Sequence, residues 1–208
     1  MYKRTLKKST VKNIHKFSSK KCGEMIVVES SLEYDSCFHF EFSKQIILYE
    51  AQPIGFQYEL CGKIRSYTPD FLVTLDGEEE IFYEVKPFCK TLSEEFNLEF
   101  EAKKIAALNL GKKLELITEK QIRIIPLLNN LKLIHRYQRL EHNLTSFQKQ
   151  LLKLTTSAES LTLSYLIDNT QTSFSEIIPH IADLLAKGLL ESNLFKPLES
   201  NSDLYCYG

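Results

Sequence analysis

The sequence has no run of eighteen or more apolar residues, so nothing in it reads as a membrane span. Its basic N-terminus lacks the apolar stretch of a secretory signal, which sets cytosolic residence as the expectation. No glycine-rich phosphate loop is present, which argues against an ATPase activity of its own, and there is no internal repeat or low-complexity tract. The five cysteines, at 22, 37, 61, 89 and 206, are scattered without the close pairing that zinc sites use and read as free thiols. The five histidines are equally dispersed, and His135 falls inside an apolar helical pattern rather than a ligand array.

What is present suffices for folded cores: 208 residues, 43% of them hydrophobic, hold one domain of ordinary size and a smaller second one. A net charge of -1 conceals a strong asymmetry. Residues 1–21 carry eight basic side chains and no acid, whereas residues 22–125 carry 11 basic against 19 acidic. An acidic body repels a polyanion unless cations offset it, so this basic N-terminal arm, with Lys3, Arg4, Lys7, Lys8 and Lys12, is expected to grip DNA backbone phosphate without reading bases.

The chemistry concentrates in two short segments. Tyr67-Thr68-Pro69-Asp70 leads into Phe71–Leu75, and after the turn pair Asp76-Gly77 comes Ile81-Phe82-Tyr83-Glu84-Val85-Lys86. Pro69 biases its neighbour towards extended backbone, and the turn pair predicts antiparallel strands over 70–75 and 80–86. Side chains alternate along a strand, so Glu84 and Lys86 share one face while Val85 points to the other. Pairing would bring Asp70 close to Glu84. Two carboxylates and the Val85 carbonyl are hard oxygen ligands suited to Mg²⁺, with Mn²⁺ as a substitute. Lys86 beside them would orient or help deprotonate a water and offset charge growing on a phosphate. A third carboxylate is expected from the helical segment Ser31–Phe42, capped by Ser30 or Ser31. Glu33 is the choice there, with Glu29, Asp35 and Glu41 as rivals.

These residues resemble the TnsA-type endonucleases of transposons, within the wider PD-(D/E)xK nuclease group. The resemblance runs through Ser-Leu-Glu at 31–33, Glu50-Ala51-Gln52-Pro53-Ile54, Tyr67–Val73, Tyr83-Glu84-Val85-Lys86, Leu116–Glu119 and Asn130–Tyr137. It implies a bacterial enzyme that cuts the 5′ strands of double-stranded DNA at transposon ends. It also implies two partners, a DDE-type transposase, TnsB, that cuts the 3′ strands, and an ATP-dependent AAA+ regulator, TnsC. The family tolerates Gln where this chain has Glu84, so the position is firmer than the need for the acid. Two other readings are a catalytically idle assembly module and a stand-alone nuclease. The intact acids and Lys86 weigh against the first, and the blocks at 116–119 and 130–137 against the second.

The expected fold is α/β, with a restriction-endonuclease-like mixed sheet flanked by helices over 22–125 and a small, mostly helical, winged-helix-like domain over 126–208. Strands are predicted at 45–52, 56–60 and 112–117, and a helix at 93–110 whose stripe is Phe96, Phe100, Ile105 and Leu108. Lys103 and Lys104 on that helix face DNA or solvent. In the second domain a helix starting at Ser173 and closed by Gly188 precedes a two-stranded wing over 189–195 and 204–207. Its charged residues, Glu176 and Asp183 against His180 and Lys187, suit a major-groove reader poorly and favour protein docking.

Overall fold

The first strand of the structure comes from a stretch that composition assigns to the basic arm. In this computed structural model, which describes residues 14–139, 143–156 and 160–206, His15–Ser19 (β1) pairs antiparallel with Glu24–Val28 (β2). Strand alternation buries Phe17 completely, edge-on to Phe38 at 5.0 Å and to Tyr34 at 5.9 Å. The body of the protein therefore begins by His15, and the expectation of an arm extending to residue 21 is corrected: one buried aromatic residue outweighs the surrounding lysines.

Two of those lysines close the hairpin. The buried Glu41 carboxylate accepts from the amides of Lys20 and Lys21 at 2.9 and 3.1 Å, from Ser19 Oγ at 2.7 Å and from Tyr49 Oη at 3.1 Å. Four donors are what a buried carboxylate needs to offset its lost hydration. Glu41 sits near the end of α1 (Ser31–Phe42), capped by Ser30 and buried along most of its length.

The central sheet has four strands in the order β3 (Ile46–Ala51), β6 (Phe71–Leu75), β7 (Glu80–Val85) and β8 (Lys113–Ile117). The first three run antiparallel and β8 joins parallel to β7, so the sheet is mixed. The parallel step needs a crossover, which α2 (Glu94–Asn109) supplies. Phe40 of α1 packs on Phe71 of β6 at 5.1 Å.

Between β3 and β6 the chain makes a separate hairpin, β4 (Phe56–Leu60) with β5 (Lys63–Tyr67). β5 went unpredicted because Lys63, Ile64, Arg65 and Ser66 are all exposed and show no burial alternation. The turn between them uses positive φ at Cys61 (51°) and Gly62 (72°).

The α2 stripe is also corrected. Phe100 and Ala107 are buried, whereas Ile105 and Leu108 are 62% and 66% exposed. The inward face runs Phe96, Phe100, Lys103, Ala107, which keeps helical spacing but places a lysine where an apolar side chain is expected.

A short α3 (Glu119–Ile122) ends the first unit, which runs to Ile124; the second begins at Ile125. Its helices are α4 (Leu127–Tyr137), α5 (Ser146–Thr155), α6 (Leu163–Thr170) and α7 (Phe174–Ala186). A core of Leu151, Leu163, Leu166, Ile177, Ile181 and Leu184 joins α5, α6 and α7. Where a two-stranded wing is expected, the chain forms a three-stranded sheet with β11 (Asp203–Cys206) between β10 (Leu190–Glu191) and β9 (Leu161–Thr162). A two-residue strand has too short an alternation to be read from sequence. On α7, Asp183 is buried and accepts from the Arg139 amide at 2.8 Å, from Gln148 Nε2 at 2.7 Å and from Lys187. Lys187 is thereby turned inward, which leaves α7 with little positive charge to offer DNA.

Among the described residues no helix is long and apolar enough to cross a membrane.

Candidate active site

The β6–β7 register sets Phe71 opposite Tyr83, which brings Asp70 level with Glu84. The Asp70 amide donates to the Tyr83 carbonyl at 3.0 Å, and the Val85 amide donates to Asp70 Oδ2 at 2.8 Å. Beyond β7, the Lys86 amide donates to the Ile117 carbonyl of β8 and extends the parallel ladder by one residue. That bond holds Lys86 in strand geometry, so its ammonium emerges on the Glu84 side. Lys86 Nζ lies 2.8 Å from Glu84 Oε1 and 3.3 Å from Asp70 Oδ2. Glu84 is 5% exposed at its side chain, Asp70 17% and Lys86 34%, so the acids are sunk and the cation faces the opening.

Burial and then the neighbouring Glu84 charge raise the Asp70 carboxyl to about 7, with a further push from Glu33 and opposition from Lys86. For Lys86 burial pulls downward, but Asp70 and Glu84 together outweigh it and hold the ammonium above the ordinary lysine value. Lys86 is therefore a cation at neutral pH, suited to balancing charge and orienting a water rather than to accepting a proton. Asp70 ionises at higher pH in the folded chain than in the unfolded one. Its contribution to stability is present at acid pH and lost as pH rises through about 7. Thermal melts without divalent ions are expected to show this decline between about pH 4 and about pH 7, and Asp70→Asn to flatten it; an unchanged slope in the variant would contradict the assignment.

Glu33 lines the same cavity as Asp70, Glu84, Val85 and Lys86, a space of about 820 Å³. Both of its oxygens are engaged at the start of α1: Oε1 accepts from Ser30 Oγ at 2.7 Å and Oε2 from the Glu29 amide at 3.1 Å. Ser30 Oγ in turn accepts from the Glu33 amide at 3.2 Å, a reciprocal helix cap. Among its rivals, Asp35 binds Arg123 Nε at 2.8 Å, and Glu41 closes the β1–β2 turn. Neither of them lines the cavity, whereas Glu29 does.

The donor set fits a divalent cation at two points. Asp70 and Glu84 offer convergent carboxylate oxygens, and their mutual repulsion is what a cation relieves. Among the described residues no three His, Cys, Asp or Glu side chains gather tightly enough to hold a metal unaided. Solvent and phosphate oxygens would complete the shell, as Mg²⁺ commonly requires.

The predicted DNA contacts divide. Lys3, Arg4, Lys7, Lys8 and Lys12 lie outside the described residues. Lys104 is half-exposed and pairs with Glu101 at 3.0 Å. Lys103 has a side chain only 12% exposed, lies 2.6 Å from Glu99 Oε1, and sits over the Tyr67 ring at 4.5 Å from its centroid. Tyr67, at the end of β5, is buried and its hydroxyl donates to Glu84 Oε2. Sequence reasoning missed Tyr67 because the strand that carries it went unpredicted.

Residues 43–119 match the family model described as TnsA-like endonuclease N terminal. The match spans less than half of the 208 residues. It contains Asp70, Glu84, Val85 and Lys86, and it leaves Glu33 and the block at 130–137 outside. No curated protein matches the chain.

Proposed function

We propose that this chain, whose match supports a TnsA-type endonuclease with a nuclease role in transposition, is the Mg²⁺-dependent subunit that cuts the 5′ strands at transposon ends. The observation that carries the reading is the meeting of Asp70, Glu84 and Lys86 in one open cavity, inside the matched segment. Asp70, Glu84 and the Val85 carbonyl would hold the metal. Glu33 would join them through the second lone pair of an oxygen that already accepts from Ser30 or from the Glu29 amide. A bound Mg²⁺ supplies Lewis-acid polarisation of the phosphate and acidifies the attacking water. The chain's own work is to place two buried acids so that the scissile phosphate is approached from one side. Lys86, held protonated, balances the charge that builds on the phosphate oxygens.

Little in the first unit reads bases, so accurate cutting would depend on a DDE-type transposase, TnsB, to select the end and on an ATP-dependent regulator, TnsC, to license the assembly. The second unit, which we read as winged-helix-like, would dock protein or touch backbone, because its α7 offers an inward Lys187 and a buried Asp183. The engaged Glu33 carboxylate favours one competing reading, an idle module that bridges transposase and regulator.

Strand-resolved cleavage of DNA carrying the transposon end separates them. With Mg²⁺ and the transposase, a 5′-strand cut is expected only when this chain is added; identical products with and without it would leave the bridging role.

A further inference from the structure

Glu84 has two oxygens, and each has a different neighbour. Oε1 faces Lys86 Nζ at 2.8 Å, and Oε2 accepts from the Tyr67 hydroxyl. Tyr67 is 7% exposed and 17 residues from Glu84 in the chain, so its hydroxyl is brought to the carboxylate by the packing of β5 against the end of β7. Behind its ring stands Lys103, with the ammonium 4.5 Å from the Tyr67 centroid and 5.6 Å from that of Tyr58. Glu99 locks Lys103 there at 2.6 Å and is itself bound by Tyr58 Oη at 2.9 Å. A cation over a ring face is attracted by the ring's quadrupole, so Lys103 helps to hold the Tyr67 ring in place.

We propose that Tyr67, backed by Lys103, is a positioning residue that fixes the Glu84 carboxylate so that a single oxygen, Oε1, is presented to a divalent cation. This deepens the nuclease reading and rests on it. It also gives Lys103 a task other than DNA contact. The ammonium is engaged by Glu99 and two aromatic rings on the inward face of α2, at the wall of the same cavity, so the salt dependence of DNA binding decides between the two roles.

Partners that orient a metal ligand typically change metal affinity about 10-fold to 100-fold when removed. The test is calorimetric titration of the full chain with Mn²⁺, together with the Mg²⁺ concentration that half-saturates cutting, for the wild type, Tyr67→Phe and Lys103→Met. Tyr67→Phe is expected to weaken Mn²⁺ binding and raise half-saturation by about 10-fold, with most of the cutting rate recovered at saturating Mg²⁺. Lys103→Met should shift both in the same direction by a smaller factor and leave the salt dependence of DNA binding unchanged. A Tyr67→Phe protein with wild-type Mn²⁺ affinity overturns the assignment while leaving the nuclease reading intact. A drop of about one in the salt slope of Lys103→Met would return that lysine to phosphate contact and also overturn it. Wild-type chain that neither binds Mn²⁺ nor cuts in the presence of the transposase would overturn the nuclease reading, and this assignment with it.

Discussion

Asp70→Ala is expected to lower 5′-strand cutting by about 1,000-fold or more, because a divalent ion's stabilisation of phosphoryl charge is worth several kcal/mol and each 1.36 kcal/mol is about tenfold in rate. The substitution removes one of two convergent carboxylates, and it also deprives the Val85 amide and Lys86 of an acceptor. Lost folding would not account for the result. Above about pH 7 Asp70 is an ionised group held against burial and against Glu84, so its removal relieves repulsion as well as deleting hydrogen bonds. The isosteric Asp70→Asn is therefore expected to melt no lower than wild type at pH 8 while cutting just as poorly. Melting curves and strand-resolved cleavage on the same preparations make the check. Cutting within tenfold of wild type in either variant would place the chemistry elsewhere.

Lys86→Met separates rate from metal binding. Its ammonium touches both acids, so it occupies the direction from which a divalent ion must approach, and in electrostatic terms it already supplies the positive charge that the acids demand. Without it, Mn²⁺ binding should be retained and tighten, whereas cutting should fall by about 100-fold for want of a cation beside the phosphate. Metal-free stability near pH 7.5 should drop by about 2 kcal/mol, less than the roughly 3–5 kcal/mol of a fully buried pair because Lys86 keeps 34% of its side chain exposed. The drop should vanish on adding Mn²⁺ or on lowering the pH until one carboxyl of the pair is protonated. Weaker Mn²⁺ binding in the variant would show that Lys86 supports the metal rather than competing with it.

How much of this was legible beforehand follows from the range of each interaction. Pro69, the Asp76-Gly77 turn and the alternation through Glu84-Val85-Lys86 act over a few residues, and they suffice to predict paired strands with two acids and a lysine on one face. The helix over 31–42 was legible for the same reason, since Ser30 and Glu33 form its cap three residues apart. What those residues do was less so. Glu33 was chosen as a ligand for its place before the strands; it lines the cavity, and its oxygens also close its own helix, which the choice did not foresee.

The sequence by itself determined the paired strands, the shared face of Glu84 and Lys86, and the start of α1, because those depend on backbone stereochemistry and near neighbours. Tertiary structure alone decided that Phe17 draws the end of the basic segment into the body, that Lys103 turns inward against Tyr67, and that Tyr67 reaches Glu84 across 17 residues of chain. Each of these is a burial decision, set by which partner a side chain meets once distant strands have packed. Composition reads a lysine as solvated and an isolated aromatic as ambiguous. Only the assembled layers supply the carboxylate or the ring that makes the buried position the lower in free energy.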